Sequence, residues 1–266
     1  HRRHSRAPTD RSVRPLPVSR TKNGAKHVGH RVAVYGASSG MGRASAIGLA
    51  RSGADVALLA RNTTALHEVA CEIEGLGRTG CVIPVDLQDP LAARRSVEKV
   101  CDALGGIDAL IYAAGWNIPN RALERLSPED WEVMQRTNLW GLYDVTQAAL
   151  PSLRESSGCL VVISSASVQL PDVSGVAYQT TKHAEVGFVH GLMREEATNG
   201  IRATVLFPGL TDTPMIDRRP VPTPANVVAQ ALQPEDVAEA VVFVTSLPPR
   251  AYVPELMILP AAIQQR

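Results

Sequence analysis

Tyr178 and Lys182 stand four positions apart in Tyr178-Gln179-Thr180-Thr181-Lys182. On a helix such residues share one face, one turn from each other. A free tyrosine hydroxyl titrates near ~10, too high for a good base at neutral pH. A neighbouring ammonium favours the phenolate, so Lys182 is expected to lower the Tyr178 pKa and let the pair exchange a proton with a substrate oxygen. Alone, this spacing recurs by chance on exposed helix faces. Ser165 adds weight to it: it lies thirteen residues upstream, just past an apolar run ending Ile163-Ser164-Ser165. A hydroxyl there can bond a carbonyl and steady developing alkoxide charge. Ser164, its neighbour, suits a structural strand-end role better.

A second cluster is Gly36-Ala37-Ser38-Ser39-Gly40-Met41-Gly42. Its glycines permit a tight turn and let backbone N–H groups approach a phosphate, and a helix starting there adds partial positive charge. The spacing is G-x-x-x-G-x-G, not the standard G-x-G-x-x-G fingerprint. The next apolar run ends Leu59-Ala60-Arg61-Asn62. An acid at that point would accept from a ribose 2′-OH and repel a 2′-phosphate. Here Ala60 is followed by Arg61, whose guanidinium can pair with phosphate bidentately. A solvated surface arginine is the plain alternative, but the missing acid favours NADP(H) over NAD.

The elements that must position these groups follow a regular alternation. Short apolar runs at 31–35, 55–60, 81–85, 109–113, 159–163, 203–207 and 256–259 read as strands. Helical stretches at 41–51, 63–74, 91–104, 128–150, 176–199 and 234–246 separate them. Strands alternating with long helices imply right-handed crossovers and parallel pairing. The expected fold class is α/β: a single Rossmann-type doubly wound domain, with a seven-stranded, mostly parallel sheet and helices on both faces. Its ligands bind beyond the C-terminal strand ends.

Taken together these motifs resemble those of the classical short-chain dehydrogenase/reductase family, from about residue 31 to 260. That family opens with T-G-x-x-x-G-x-G; Tyr35 stands here in place of the threonine. Its N-N-A-G motif is similar to Tyr112-Ala113-Ala114-Gly115, with both asparagines replaced. The resemblance implies an NADP(H)-dependent oxidoreductase that moves a hydride between nicotinamide and a carbonyl or secondary alcohol. It implies that Gly36, Ser38, Ser39, Gly40, Met41, Gly42, Arg61 and Asn62 hold the adenosine and pyrophosphate end. Asp86 and Leu87 would meet the adenine, and Ala114 and Gly115 would lie along the cofactor. Pro208, Gly209, Thr211 and Thr213 match the segment that wraps the nicotinamide. Tyr178 would be the general acid and base, Lys182 would also bond the nicotinamide ribose, and Asn138 would hold a water linking Lys182 to solvent. Ser165, Ser167 and Tyr178 would touch substrate, with Trp116, Gln169, Pro171 and Val173 nearby and 214–232 as a variable lid. The ending at 253–260 lacks the family's usual glycine-rich finish and is similar to the serine 3-dehydrogenase-like, NADP-dependent branch. A non-catalytic NADP-binding sensor of the same fold is the alternative. An epimerase or dehydratase would need a larger C-terminal domain than the ~50 residues after Thr213 can build.

Composition narrows the rest. The chain has 266 residues, 45% apolar and only 4% aromatic, which suits one domain with a sheet of Ala, Val, Leu and Ile. Residues 1–30 hold eight Lys or Arg against Asp10 and are expected to be a basic disordered tail before a domain at 31–266. A targeting peptide fits less well, because Pro8, Pro15 and Pro17 break a helix. The remainder is mildly acidic, so no nucleic-acid partner is expected. Cys71, Cys81, Cys101 and Cys159 show no metal spacing and read as reduced thiols of a cytoplasmic protein, with no bound metal. No apolar run reaches the ~18 residues of a membrane span. The family resemblance implies a homodimer or homotetramer through the long helices, with Trp140 and Phe188 as contacts or ordinary core.

Overall fold

The structure, a computed structural model, describes residues 26–170 and 172–263. The chain alternates β1 (Arg31–Tyr35), α1 (Gly40–Arg51), β2 (Asp55–Ala60), α2 (Thr63–Gly75), β3 (Gly80–Pro84), α3 (Pro90–Leu104) and β4 (Ala109–Tyr112). Then come α4 (Pro128–Met134), α5 (Gly141–Ser156), β5 (Cys159–Ile163), α6 (Val176–Glu196), β6 (Arg202–Pro208), α7 (Ala225–Val228), α8 (Pro234–Thr245) and β7 (Glu255–Ile258). All seven strands are parallel, in the order β3-β2-β1-β4-β5-β6-β7. The expected sheet is therefore present, parallel throughout rather than mostly so. The winding reverses between β1 and β4, where Val32 lies opposite Val56 on one side and Ala109 on the other.

Period-two alternation divides the core in two. In β1, Val32 and Val34 face the layer of α1, α2 and α8, while Ala33 and Tyr35 face α3, α5 and α6. Small residues let the helices approach closely: a Cβ on Gly48 of α1 would lie 3.5 Å from Val242 of α8. Side chains cap the starts of α2, α3 and α4. Asn62 accepts from Ala65 N–H, Asp89 from Leu91 and Ala92 N–H, and Ser127 from Asp130 N–H. The start of α1 has no such cap.

Three expectations change. The helical stretch expected at 128–150 is interrupted by a π-helical turn, Gln135–Trp140, and runs on through Pro151 to Ser156. The turn has an identifiable cause: Tyr112 Oη donates to the Thr137 carbonyl at 2.5 Å, and the missing side chain of Gly141 leaves room for that hydroxyl. The packed region also begins before residue 31. His27 is buried, its N–H donates to the Ser52 carbonyl, and its Nε2 pairs with Thr245 Oγ1 at 2.9 Å. The rest of the expected tail, residues 1–25, lies outside the described residues. Finally, Phe188 packs partly buried against the core, whereas Trp140 is half-exposed beside Tyr143. Among the described residues no helix is long and apolar enough to cross a membrane.

Candidate active site

Tyr178 and Lys182 sit in the first turns of α6, both buried. Lys182 Nζ lies 5.6 Å from the Tyr178 ring centroid. Its donors go to Glu185 Oε1 at 2.8 Å, Glu185 Oε2 at 3.1 Å and the Ile163 carbonyl at 3.2 Å. An ammonium has three donors, so all of them are taken by protein, and a ribose contact requires one to be released. Glu185, fully buried, was not singled out from the sequence. A glutamate three residues after a lysine reads there as a surface pair, and only burial of both groups changes its meaning.

Glu185 also corrects the expected Tyr178 pKa. Burial raises it, Lys182 lowers it, Glu185 raises it again, and Ser165 lowers it; the net direction is up. Burial works against the charge on Lys182, yet Glu185 and Tyr178 outweigh it and hold the ammonium. Burial raises the Glu185 pKa as well, opposed by Lys182. The pair is thus an ion pair whose charges largely cancel, and Tyr178 keeps its proton at neutral pH.

Ser165 lies two residues past the end of β5, where it caps a short 3-10 turn, and its Oγ accepts from Ser167 N–H at 3.1 Å. Ser164 is buried and donates to the Lys182 carbonyl at 3.1 Å, which gives it the expected structural role. Asn138, in the π-helical turn, accepts from Trp116 N–H at 2.8 Å and donates to the Trp116 carbonyl and to Thr181 Oγ1. Both its donors are used, leaving only lone-pair capacity on Oδ1 for a water. Asn138 therefore clamps the loop after β4 to α6.

Beyond the strand ends lie two concavities of about 470 Å³ each that share Met41, Asn117, Thr213 and Met215 and so form one cleft. The first holds Ser165, Ser167, Tyr178, Pro208, Gly209, Thr211 and Thr213. The second holds Gly36, Ser38, Ser39, Gly40, Met41, Gly42, Arg61, Asn62, Asp86, Leu87, Ala114 and Gly115. The structure thus brings most of the expected site residues together along one cleft, although Asn138 and Lys182 line neither concavity. Gln169 and Val173 are exceptions: Gln169 reaches toward Glu255 and Val173 is exposed on another concavity. Trp116 joins the second concavity only, and Pro171 lies outside the described residues.

The second concavity fits a dinucleotide. A Cβ on Gly36, at φ +86°, would meet the Ala114 backbone nitrogen at 2.7 Å, and one on Gly42 would run into the Gly36 carbonyl. Backbone therefore lines the turn, and the uncapped start of α1 points its unpaired N–H groups there. Tyr35, replacing threonine, turns away from this loop and bonds Ser96 Oγ at 2.9 Å. The turn is held instead by the Gly36 and Ala37 N–H groups donating to the Leu59 carbonyl. Arg61 lies 5.6 Å from the Trp116 ring centroid, and Arg218 stacks on that ring at 3.8 Å. Arg218 comes from the lid and was not foreseen, because sequence offers no register across a loop. Asn62 Oδ1 caps α2, and Asp86 accepts from Gln88 N–H as an ordinary turn former.

An open parallel sheet with a phosphate-ready turn at its switch point, and a Ser–Tyr–Lys group beyond the next strands, defines the dinucleotide-dependent oxidoreductase class. A family model described as short chain dehydrogenase matches residues 30–221, and the chain belongs to that family. The uncharacterized oxidoreductase YhxD of Bacillus subtilis is 33% identical over 251 residues, covering 89% of this chain and 84% of its own length. The uncharacterized oxidoreductase SERP2049 of Staphylococcus epidermidis is 31% identical, covering 85% and 95%. Among solved structures, an alcohol dehydrogenase from Thermococcus sibiricus complexed with 5-hydroxy-NADP superposes with a TM-score of 0.80 at 29% identity, covering 88% and 98%. A short chain dehydrogenase from Burkholderia cenocepacia in complex with NADP also gives 0.80, at 32% identity, covering 88% and 98%.

Proposed function

We propose that this protein is an NADP(H)-dependent oxidoreductase acting on a carbonyl or the matching secondary alcohol, with carbonyl reduction as the favoured direction. The observation that carries this is Tyr178, kept protonated by burial and by Glu185, in a cavity continuous with the cleft that holds Arg61. Arg61 and Arg218, with no acid at Ala60, suit a 2′-phosphate; two structural neighbours hold NADP or its hydroxy derivative.

When bound, the nicotinamide supplies the hydride. Ser165 orients the carbonyl oxygen and stabilises its developing charge. Tyr178 donates its proton to that oxygen, and Lys182 stabilises the phenolate left behind. Glu185 holds Lys182 in place, and Asn138 keeps the loop after β4 against α6. We read the protein as a cytoplasmic homo-oligomer, with half-exposed Trp140 on its contact surface.

The test is NADPH oxidation over a panel of ketones, aldehydes and 3-oxoacyl thioesters, with NADH as control. Tyr178→Phe should reduce turnover at least ~10²-fold, the typical worth of a general acid. It should leave NADPH binding nearly intact. Tight NADPH binding without turnover of any carbonyl would favour the sensor instead.

A further inference from the structure

Arg121, in the loop after β4, is an unusual neighbour for Tyr178. Only 7% of it is exposed, and it lines the cavity that holds Ser165 and Tyr178. Its Nε donates to the Ile118 carbonyl at 2.9 Å and its Nη2 to the Arg218 carbonyl at 2.7 Å. No carboxylate among the described residues lies within ion-pair distance of it. A guanidinium cannot shed its charge as a lysine can, and burying it without a counter-charge costs several kcal/mol. Such a group is retained where an anion completes it.

The surroundings are built around that side chain. A Cβ on Gly175, at φ +88°, would lie 2.7 Å from Arg121 Cβ, so the loop entering α6 closes over it only because residue 175 is glycine. Arg219 lines the same cavity. Among the described residues the one acid on the lining is Asp172, which is exposed and accepts from Ser174 N–H. Burial, then Arg219, weigh against the Arg121 charge, while Asp172 and Tyr178 favour it only weakly. Ser167 Oγ, buried on the same wall, has no partner of its own.

We propose that the catalytic cavity takes an oxo acid, or the matching hydroxy acid: its carbonyl lies at Ser165 and Tyr178, and its carboxylate is held by the Arg121 fork. Arg219 adds to the positive field, and Ser167 supplies a hydroxyl between the two ends. The inference rests on the carbonyl-reductase reading and names its substrate class.

The experiment compares acids with their methyl esters, which lack the charge and add one methyl group. 3-Oxobutanoate, 4-oxobutanoate and 5-oxopentanoate are each assayed with NADPH beside the ester, for the wild type, Arg121→Met and Arg121→Lys. At least one acid is expected to exceed its ester in kcat/KM. In Arg121→Met that acid-to-ester ratio should collapse by about 10- to 100-fold, the worth of a charge-assisted pair. Arg121→Lys should recover part of it. A ratio unchanged in Arg121→Met, with acid and ester falling in parallel, would make Arg121 a brace for the lid and overturn the proposal. Calorimetry of 3-oxobutanoate binding to the NADPH complex separates the two readings. Binding lost in Arg121→Met upholds the anion site even if nothing is turned over, in which case only the enzymatic reading falls. Absence of binding for all three acids, with no turnover of them, overturns the site itself.

Discussion

Replacing Glu185 with glutamine tests the charge arrangement at the centre of the site. The substitution keeps size and an acceptor for Lys182 Nζ while removing the negative charge. Lys182 Nζ stands 5.6 Å from the Tyr178 ring. At an effective dielectric constant of about 20, its charge favours the phenolate by about 3 kcal/mol. The Glu185 oxygens lie 2.8 and 3.1 Å from Nζ. They are therefore no more than about 8.7 Å from the ring, and oppose the phenolate by about 2 kcal/mol. Removing that opposition should raise the phenolate population about thirtyfold wherever it is the minor form. The assay is alcohol oxidation at saturating cofactor across pH, which needs the phenolate. The acid limb of kcat should move to lower pH in Glu185→Gln, and the alkaline fall of the reduction reaction should move the same way. Global stability should fall, because one partner of a buried pair is lost, at about the ~3 kcal/mol end of the range for such changes. An unmoved limb would refute the argument. A limb moved to higher pH would refute it differently: Lys182 would then have surrendered its proton along with its counter-ion.

Other outcomes follow from the same geometry. Arg61→Ala should raise the Kd for NADPH at least about tenfold while changing that for NADH little, by the worth of a charge-assisted phosphate contact; fluorescence titration checks both. Gly42→Ala places a methyl group against the Gly36 carbonyl, so it should lower stability by about 1–3 kcal/mol and weaken cofactor binding more than substrate binding. Burial, with His30 and Lys26, lowers the His27 pKa from 6.5 to about 4. As pH falls, the unfolded chain takes up this proton first, so stability is present above about 6.5 and is lost down to about 4, by about 3 kcal/mol in all. Urea midpoints should show a flatter decline across that window in His27→Gln.

The fold and the grouping of the candidate site residues were legible because each rests on local pattern. Period-two apolar runs and glycine turns locate the strands, and Ser165, Tyr178 and Lys182 sit at spacings that helix and strand geometry convert directly into proximity. What stayed hidden depends on which face a residue turns inward, or on contacts between distant loops. Glu185 falls in the first group: its sequence spacing to Lys182 is the same for a solvated pair as for a buried one. Arg121 and Arg218 fall in the second, being joined across a long stretch of chain by one hydrogen bond to a carbonyl. The packing of His27 was hidden because it is a lone polar residue with no periodic neighbours, yet it fills a site between Ser52 and Thr245. The stretch expected to end at 150 instead continues through Pro151 within α5.

The two departures from the family pattern at Tyr35 and Tyr112 are best understood as one feature. Their rings lie 6.2 Å apart on adjacent strands, on the sheet face covered by α3, α5 and α6. Each hydroxyl finds a partner beyond the sheet: Ser96 on α3 for Tyr35, and the Thr137 carbonyl for Tyr112. The second bond engages the carbonyl beside Asn138, within the π-helical turn. Asn138 in turn holds Trp116 and Thr181, and Thr181 stands beside Lys182 on α6. A continuous chain of packed and hydrogen-bonded groups thus runs from the glycine-rich turn, through the tyrosine pair, to α6. The positions that lost the family's asparagine side chains regain a polar link by a longer route, through a tyrosine hydroxyl that spans from the sheet to the next helix. That route requires Gly141, because a Cβ there would lie 2.6 Å from the Tyr112 hydroxyl. The tyrosine, the glycine and the irregular turn are accordingly interdependent, and a change at any one should be felt at Asn138 before it is felt at Tyr178.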